Sequence, residues 1–177
     1  MKEVSAKISL SLLNRQLNNF IDDLSIQTNN LYDHKVVCFE RVRFFVQSIF
    51  PTTESVLFGS NAVGLSLPTS DIDIILFNLP CGCKEEASEV LAHLAIQINA
   101  MGWIVSCSAY LNAKVPLIKL EIDPSTNYFE TKRKCDSHNF INYDNSIFSH
   151  LELKTHGKKE KQVGKVIKVD LTVNWTG

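Results

Sequence analysis

Two aspartates separated by one residue are the feature of this sequence with the clearest chemical meaning. Asp71 and Asp73 flank Ile72 and open an apolar run that is typical of a β-strand. Because residues i and i+2 of a strand project from the same face, the two carboxylates would converge while Ile72 enters the core. Two ionised carboxylates about 4 Å apart repel each other by roughly 4 kcal/mol in a partly shielded site. Bound cations would relieve this repulsion, and hard oxygen ligands of this kind suit Mg²⁺.

Gly59 and Ser60 end an earlier apolar run and stand shortly before the two aspartates. Glycine allows a close backbone approach, the serine supplies a hydroxyl, and N–H groups of the following turn can meet phosphate oxygens. An isolated Asp-x-Asp more often simply begins a strand, but the preceding Gly-Ser pair between two apolar runs changes that interpretation. The two motifs together predict a phosphate-holding turn opposite a pair of metal-binding carboxylates.

The segment from residue 56 to residue 78, VLFGSNAVGLSLPTSDIDIILFN, resembles the signature of the DNA polymerase beta nucleotidyltransferase superfamily. More narrowly, it is similar to the terminal RNA nucleotidyltransferases of the polymerase sigma type, which include poly(A) and poly(U) polymerases. Residues 113–120, AKVPLIKL, and 165–174, KVIKVDLTVN, resemble two further strands of that group. The resemblance covers roughly residues 34–120 and 165–177.

The resemblance implies roles for five residues. Gly59 and Ser60 fall on the triphosphate-binding pair, and Asp71 and Asp73 fall on the first two metal ligands. Asp170 falls on the third carboxylate, although alternation along its own strand would equally place it in solvent. The implied reaction is two-metal catalysis with Mg²⁺ or Mn²⁺, which adds AMP, or else UMP, from a nucleoside triphosphate to an RNA 3′ end without a template.

Three other functions share parts of this signature. A small-acceptor or protein nucleotidyltransferase carries the same Gly-Ser and Asp-x-Asp motifs, and a template-directed DNA repair polymerase is a weaker relative. A catalytically inactive scaffold that binds RNA or protein is the third, and the presence of all three carboxylates argues against it. The RNA 3′ end and the triphosphate are the expected partners, and an RNA-binding accessory protein is left open.

Composition excludes other classes of protein. The chain has 177 residues, of which 45% are hydrophobic and 21% charged, as expected for an ordinary globular protein. A net charge of −1 gives no overall attraction to nucleic acid, so RNA binding would need a local patch. No apolar stretch reaches membrane-spanning length and residues 1–20 do not resemble a signal peptide, so a nuclear or cytoplasmic protein without a membrane partner is expected. The five cysteines are predicted to be free thiols, and zinc binding at Cys81 and Cys83 is disfavoured because a second ligand pair is missing.

Hydrophobic periodicity predicts both helices and strands. The resemblance implies that they form an α/β polymerase beta-like nucleotidyltransferase fold, in which a small mixed sheet is backed by helices on one face. Asp33 is interpreted as the cap of a second helix, separate from the first, and Arg41 and Arg43 as solvated residues. The predicted helices cover residues 4–26, about 34–50 and 84–101, and the predicted strands cover residues 55–58, 71–77, 103–111, 115–122 and 165–174.

The predicted organisation is an N-terminal helical segment, residues 1–33, followed by a catalytic domain, residues 34–177. A basic stretch at about 124–164 is interpreted as a loop insertion, because the resembling enzymes join the two flanking strands by a much shorter connection. Those enzymes also carry a second, helical domain after the third aspartate. That domain is absent from this chain, which is therefore interpreted as a fragment of a longer protein in preference to a minimal form that needs a partner.

Overall fold

The computed structural model describes residues 2–126 and 166–175, with side chains from residue 10 onward. The described part is a mixed α/β structure, as predicted. Almost all of the predicted insertion lies outside it, as does Cys135. The elements in chain order are α1 (Lys2–Ile49), β1 (Glu54–Phe58), α2 (Gly59–Ala62), β2 (Ile72–Phe77), α3 (Lys84–Ile98), β3 (Ile104–Tyr110), β4 (Leu117–Ile122) and β5 (Ile167–Val173).

The five described strands form one sheet in the order β1-β2-β5-β4-β3. β2 and β5 are parallel, whereas the other three pairs of neighbours are antiparallel. The mixed sheet and the β3–β4 antiparallel pair agree with the prediction. The parallel pair lies in the interior of the sheet, so the residues that β2 and β5 place side by side come from distant parts of the chain.

One face of the sheet is buried and the opposite face is open. In β2 the buried residues are Ile72, Ile74 and Leu76, which alternate with the less buried Asp73 and Ile75. This period of two is the strand periodicity that the sequence displays. Helices α1 and α3 pack on the buried face. In α3 the buried residues recur at helical spacing and are Ala87, Leu91, Leu94 and Ile98.

The prediction of two separate N-terminal helices is wrong. Residues Lys2–Ile49 form one continuous helix, and Asp33 lies inside it rather than at a cap. No glycine or proline occurs between residues 2 and 49, so nothing in the backbone forces a break. The predicted boundary after residue 33 falls within this helix, and the division into two domains stays a prediction.

The apolar stripe of α1 is buried in one half of the helix and exposed in the other. Leu31, Val42 and Phe45 belong to the core, and Phe45 packs edge-on against Trp103 with ring centroids 6.4 Å apart. The same stripe continues towards the N-terminus, where Leu17 is 52% exposed. Among the described helices, none combines the length and the apolar character needed to cross a bilayer.

The interpretation of Arg41 as a solvated residue is wrong. Its side chain is buried, and its Nη1 donates a hydrogen bond of 3.1 Å to the carbonyl oxygen of Asp123. Arg43 is partly exposed and pairs with Glu40 on its own helix. Arg41 therefore ties α1 to the end of β4 instead of facing a polyanion.

The cysteines in the described ranges carry free thiols, as predicted, and they are Cys38, Cys81, Cys83 and Cys107. Burial raises the pKa of the Cys38 thiol to about 12. A thiol that stays protonated in the core is a poor nucleophile, so Cys38 serves packing.

Candidate active site

The open face of the sheet brings the three predicted carboxylates into one region. Asp73 of β2 and Asp170 of β5 are direct partners in the parallel register, so their side chains share one face. Neighbouring strands lie about 4.8 Å apart, which makes the two carboxylates close neighbours. Asp71 lies one residue before β2, and its charge acts on Asp73.

The electrostatics of this region show an excess of negative charge. Burial first, and then the charges of Asp170 and Asp71, raise the pKa of the Asp73 carboxyl above its ordinary value of 3.8. Lys119 opposes this rise but does not cancel it. A bound divalent cation would favour the ionised form of Asp73 and would offset the repulsion among the three carboxylates.

The donor chemistry fits a hard divalent cation, since the three side chains offer only carboxylate oxygens. Nevertheless, in residues 2–126 and 166–175 no three His, Cys, Asp or Glu side chains are gathered closely enough to form a ready-made metal site. In the same region, Oδ2 of Asp170 accepts a hydrogen bond of 2.7 Å from Lys119 Nζ. The assignment of the aspartates as metal ligands therefore stays a prediction.

The backbone of Gly59 lies directly against the carboxylate of Asp73. Gly59 has a φ of +63°, in the left-handed region that glycine adopts without strain. A Cβ added there would collide with Asp73 Oδ2 and would lie 3.2 Å from Asp73 Cγ. The register explains this proximity, because Phe58, the last residue of β1, is paired with Asp73. Only glycine lets the chain turn at this point without displacing that carboxylate.

The predicted phosphate-holding turn is a short helix, α2, which begins at Gly59 and includes Ser60. Ser60 is therefore next to the residue that contacts Asp73. Its role in holding phosphates stays a prediction.

Asn61 is a positioning residue that the sequence reasoning missed. Its Nδ2 donates a hydrogen bond of 2.6 Å to the backbone carbonyl oxygen of Asp71. This contact fixes the segment before β2 to α2, so it links the two predicted motifs. The residue type gave no signal, because an Asn after Gly-Ser is equally typical of an exposed turn.

Lys119 is the second missed residue. Lys119 lies in β4 opposite Asp170, and its ammonium forms an ion pair with that carboxylate. The hydrogen bond to Asp170 is the largest cause of the raised pKa of Lys119. Two signals in the sequence could have identified it. The alternation in LIKLEI places Lys119 on the polar face of its strand, and Lys119 falls within the resembling segment AKVPLIKL.

Comparison with known proteins identifies the family. The family model described as "Poly(A) RNA polymerase, mitochondrial-like, central palm domain" matches residues 13–147. The chain belongs to this palm-domain family. The matched range contains Gly59, Ser60, Asp71 and Asp73 but ends before Asp170. The resemblance to the catalytic domains of poly(A) polymerases is thus confirmed.

A curated relative and two solved structures agree with this assignment. Poly(A) RNA polymerase protein 1 of Eremothecium gossypii is 34% identical over 87 residues, which are 49% of this chain and 13% of that protein. The structure of the GLD-2/RNP-8 complex has a TM-score of 0.51 at 17% identity and covers 86% of this chain and 46% of its own. The polymerase core of TRAMP, an RNA surveillance complex, has a TM-score of 0.50 at 20% identity and covers 90% of this chain and 36% of its own. These structures establish the polymerase-type nucleotidyltransferase fold. The chain spans only a small part of the curated relative and less than half of each solved one.

Proposed function

We propose that this palm domain transfers nucleoside monophosphates from nucleoside triphosphates to RNA 3′ ends without a template. In this proposal AMP is the preferred group to be transferred, and UMP is the second. The observation that carries the proposal is the juxtaposition of Asp73 with Asp170 on the open face, with the Gly59 backbone against Asp73. Membership of the poly(A) polymerase palm family supports the same reaction class.

Different residues of the chain would bind the two substrates. Ser60 and the N–H groups of α2 would hold the β- and γ-phosphates beside Asp73. The RNA 3′-hydroxyl would approach on the Asp170 side and attack the α-phosphorus in line with the leaving pyrophosphate. One P–O bond forms as the bond between the α-phosphorus and the bridging oxygen breaks, and the proton of the 3′-hydroxyl passes to solvent water. Most of the rate enhancement would come from this positioning of the reacting groups.

Asp71, Asp73 and Asp170 would hold one divalent ion, and Asp71 and Asp73 a second. Bound there, Mg²⁺ or Mn²⁺ would activate the 3′-hydroxyl and neutralise the charge that develops on pyrophosphate. Burial is the largest cause of the raised pKa of Asp73, and the charges of Asp170 and Asp71 raise it further while Lys119 offsets them only in part. This second contribution supports the proposal, because a bound cation would compensate it.

An accessory protein is part of the proposal. Solved relatives of the same fold occur in complexes, namely GLD-2 with RNP-8 and the polymerase core of TRAMP. A net charge of −1 supports the same expectation, since a chain without a basic surplus gains little from long-range attraction to RNA. A nuclear or cytoplasmic location is proposed as well.

The proposal is tested by incorporation of labelled nucleotide into RNA. The full-length protein would be incubated with Mn²⁺ or Mg²⁺, each of the four triphosphates in turn, and an oligonucleotide ending in either a 3′-hydroxyl or a 3′-deoxy group. We expect extension of the hydroxyl-ended RNA only, and none with Asp73→Asn. Labelling of a small molecule or a protein in place of RNA would favour the small-acceptor alternative. Nucleotide binding without any transfer would favour the inactive scaffold.

A further inference from the structure

Lys119 occupies the same row of the open face as the predicted metal ligands. Asp73, Asp170 and Lys119 are successive partners across β2, β5 and β4. The side chains of Lys119 and Asp170 are 48% and 24% exposed, so the ion pair can be reached from solvent. Exposed ion pairs of this kind are individually weak and are readily exchanged for other partners.

The ion pair occupies Oδ2 of Asp170, one of the two carboxylate oxygens that could bind a divalent cation. Lys119 Nζ lies 2.7 Å from Asp170 Oδ2, which is normal for a charge-assisted hydrogen bond. A divalent cation bound at this carboxylate would lie close to the ammonium, and the repulsion between the two positive charges disfavours simultaneous binding. The charge of Asp71 also acts on Lys119, so the ammonium partly neutralises the whole group of carboxylates and not Asp170 alone.

We infer that Lys119 is a positioning residue that holds Asp170 in the metal-free site and must release it when a divalent cation binds. This inference rests on the proposed function. Lysine carries its charge on a flexible four-carbon stem with three donors, so the released ammonium can turn to a phosphate oxygen without leaving the site. The phosphate could belong to the nucleoside triphosphate or to the RNA backbone.

The exchange predicts coupling between metal and phosphate binding. Without phosphate, the metal must compete with Lys119 for Asp170. With phosphate present, the ammonium has another partner and the competition ends. Coupling of this kind is reciprocal, so the metal must strengthen phosphate binding by the same factor.

The test measures Mn²⁺ affinity by calorimetry in five proteins, namely the wild type, Lys119→Met, Lys119→Arg, Lys168→Met and Asp73→Asn. Lys119→Met keeps most of the stem and removes the charge, whereas Lys119→Arg keeps the charge and can grip Asp170 in a bidentate manner. The matched control is Lys168→Met, because Lys168 is an exposed lysine of β5 on the same face and lines a groove beside Asp71. Each protein is titrated with Mn²⁺ alone, with a nonhydrolysable triphosphate analogue, and with a short RNA.

We expect Lys119→Met to bind Mn²⁺ alone about 5-fold or more tightly than the wild type, at the lower end of typical coupling between sites. Lys119→Arg should bind Mn²⁺ alone no more tightly than the wild type. In the wild type, either the triphosphate analogue or the RNA should raise the affinity for Mn²⁺, according to which of them binds the ammonium. Lys119→Met should not show this increase. Since removal of any nearby positive charge strengthens cation binding somewhat, the gain in Lys119→Met must exceed that in Lys168→Met.

Three outcomes overturn the inference. An unchanged Mn²⁺ affinity in Lys119→Met refutes it, as does an equal gain in Lys168→Met. If the wild type binds Mn²⁺ and Asp73→Asn does not, these results leave the proposed function standing and reject only the role of Lys119. If the wild type binds no Mn²⁺ even with the analogue, the proposed function fails and the inference fails with it.

Discussion

Substitution of Gly59 by alanine offers the sharpest test of how the site is held. The residue has a φ of +63°, and alanine in the left-handed region is less stable by roughly 1–2 kcal/mol. The lower entropy of the unfolded alanine chain offsets about 0.4–1 kcal/mol of this. We therefore expect Gly59→Ala to reduce the free energy of unfolding by about 1 kcal/mol.

The effect on activity should be much larger than the effect on stability. The new Cβ would collide with Asp73 Oδ2, and the carboxylate can escape only by rotating or shifting. A displacement of about 1 Å in a reacting group can reduce the rate by about 100-fold. We expect a loss of this order in nucleotide incorporation by Gly59→Ala, together with weaker Mn²⁺ binding.

Gly64→Ala is the matched control for this experiment. Gly64 has a similar φ of +72°, but nothing lies within 4 Å of its added Cβ. Both variants should therefore lose similar stability in urea titrations, whereas only Gly59→Ala should lose most of its activity. If the two variants retain equal activity, the close packing of Gly59 on Asp73 has no functional meaning and this reasoning is wrong.

Three further predictions concern the surroundings of the site and the core. Asn61→Ala should reduce the free energy of unfolding by about 1 kcal/mol in urea titrations, because it removes the hydrogen bond to the backbone before β2. Leu94→Ala should reduce the free energy of unfolding by about 2–5 kcal/mol, because Leu94 is fully buried. Leu17→Ala should change it by less than about 0.5 kcal/mol, because Leu17 is 52% exposed. Burial and the neighbouring carboxylates raise the pKa of Asp73, so the folded state keeps a proton that the unfolded chain releases. The free energy of unfolding should therefore fall as the pH rises from 3.8 through the raised pKa. Urea titrations at a series of pH values should show that Asp73→Asn removes this part of the fall.

The elements of the fold could be predicted from the sequence because their periodicities are strong and local. Strand β5 shows why: Ile167, Val169 and Leu171 are buried and alternate with Lys168 and Asp170. That alternation is visible in the sequence without knowledge of the partner strands. The placement of Asp170 on the polar side of its strand follows from the same pattern.

The continuity of α1 could not be predicted by the same means. Asp33 resembles an N-cap residue and suggested a helix start. An N-cap forms only where the residues before it are not helical. The buried stripe of Leu31, Cys38 and Val42 keeps helical spacing across this point. Because the domain packs against that stripe, tertiary contacts favour the uninterrupted helix over the local signal at Asp33.

Contacts between distant residues set a second limit on prediction. Lys119 and Asp170 are separated by 51 positions and meet only because β4 and β5 adopt one particular register. A register shifted by one residue would turn Lys119 towards the other face. The hydrogen bond from Asn61 to the backbone of Asp71 depends likewise on how α2 folds back over the start of β2. Alternation places Lys119 on the polar face of its strand, but neither contact names its partner in the sequence.

The residues of the candidate site lie side by side on neighbouring strands, and the order of these strands in the sheet differs from their order in the chain. Gly59 follows β1, Asp73 lies in β2, Asp170 in β5 and Lys119 in β4, and the sheet places them side by side. The β2–β5 pair is parallel, so it needs a long crossover and no hairpin can set its register. The closeness of Asp73 to Asp170 therefore depends on the packing of β5 on the core. A substitution that loosens β5, such as Leu171→Ala at a fully buried position, should weaken metal binding even though Leu171 faces away from the carboxylates.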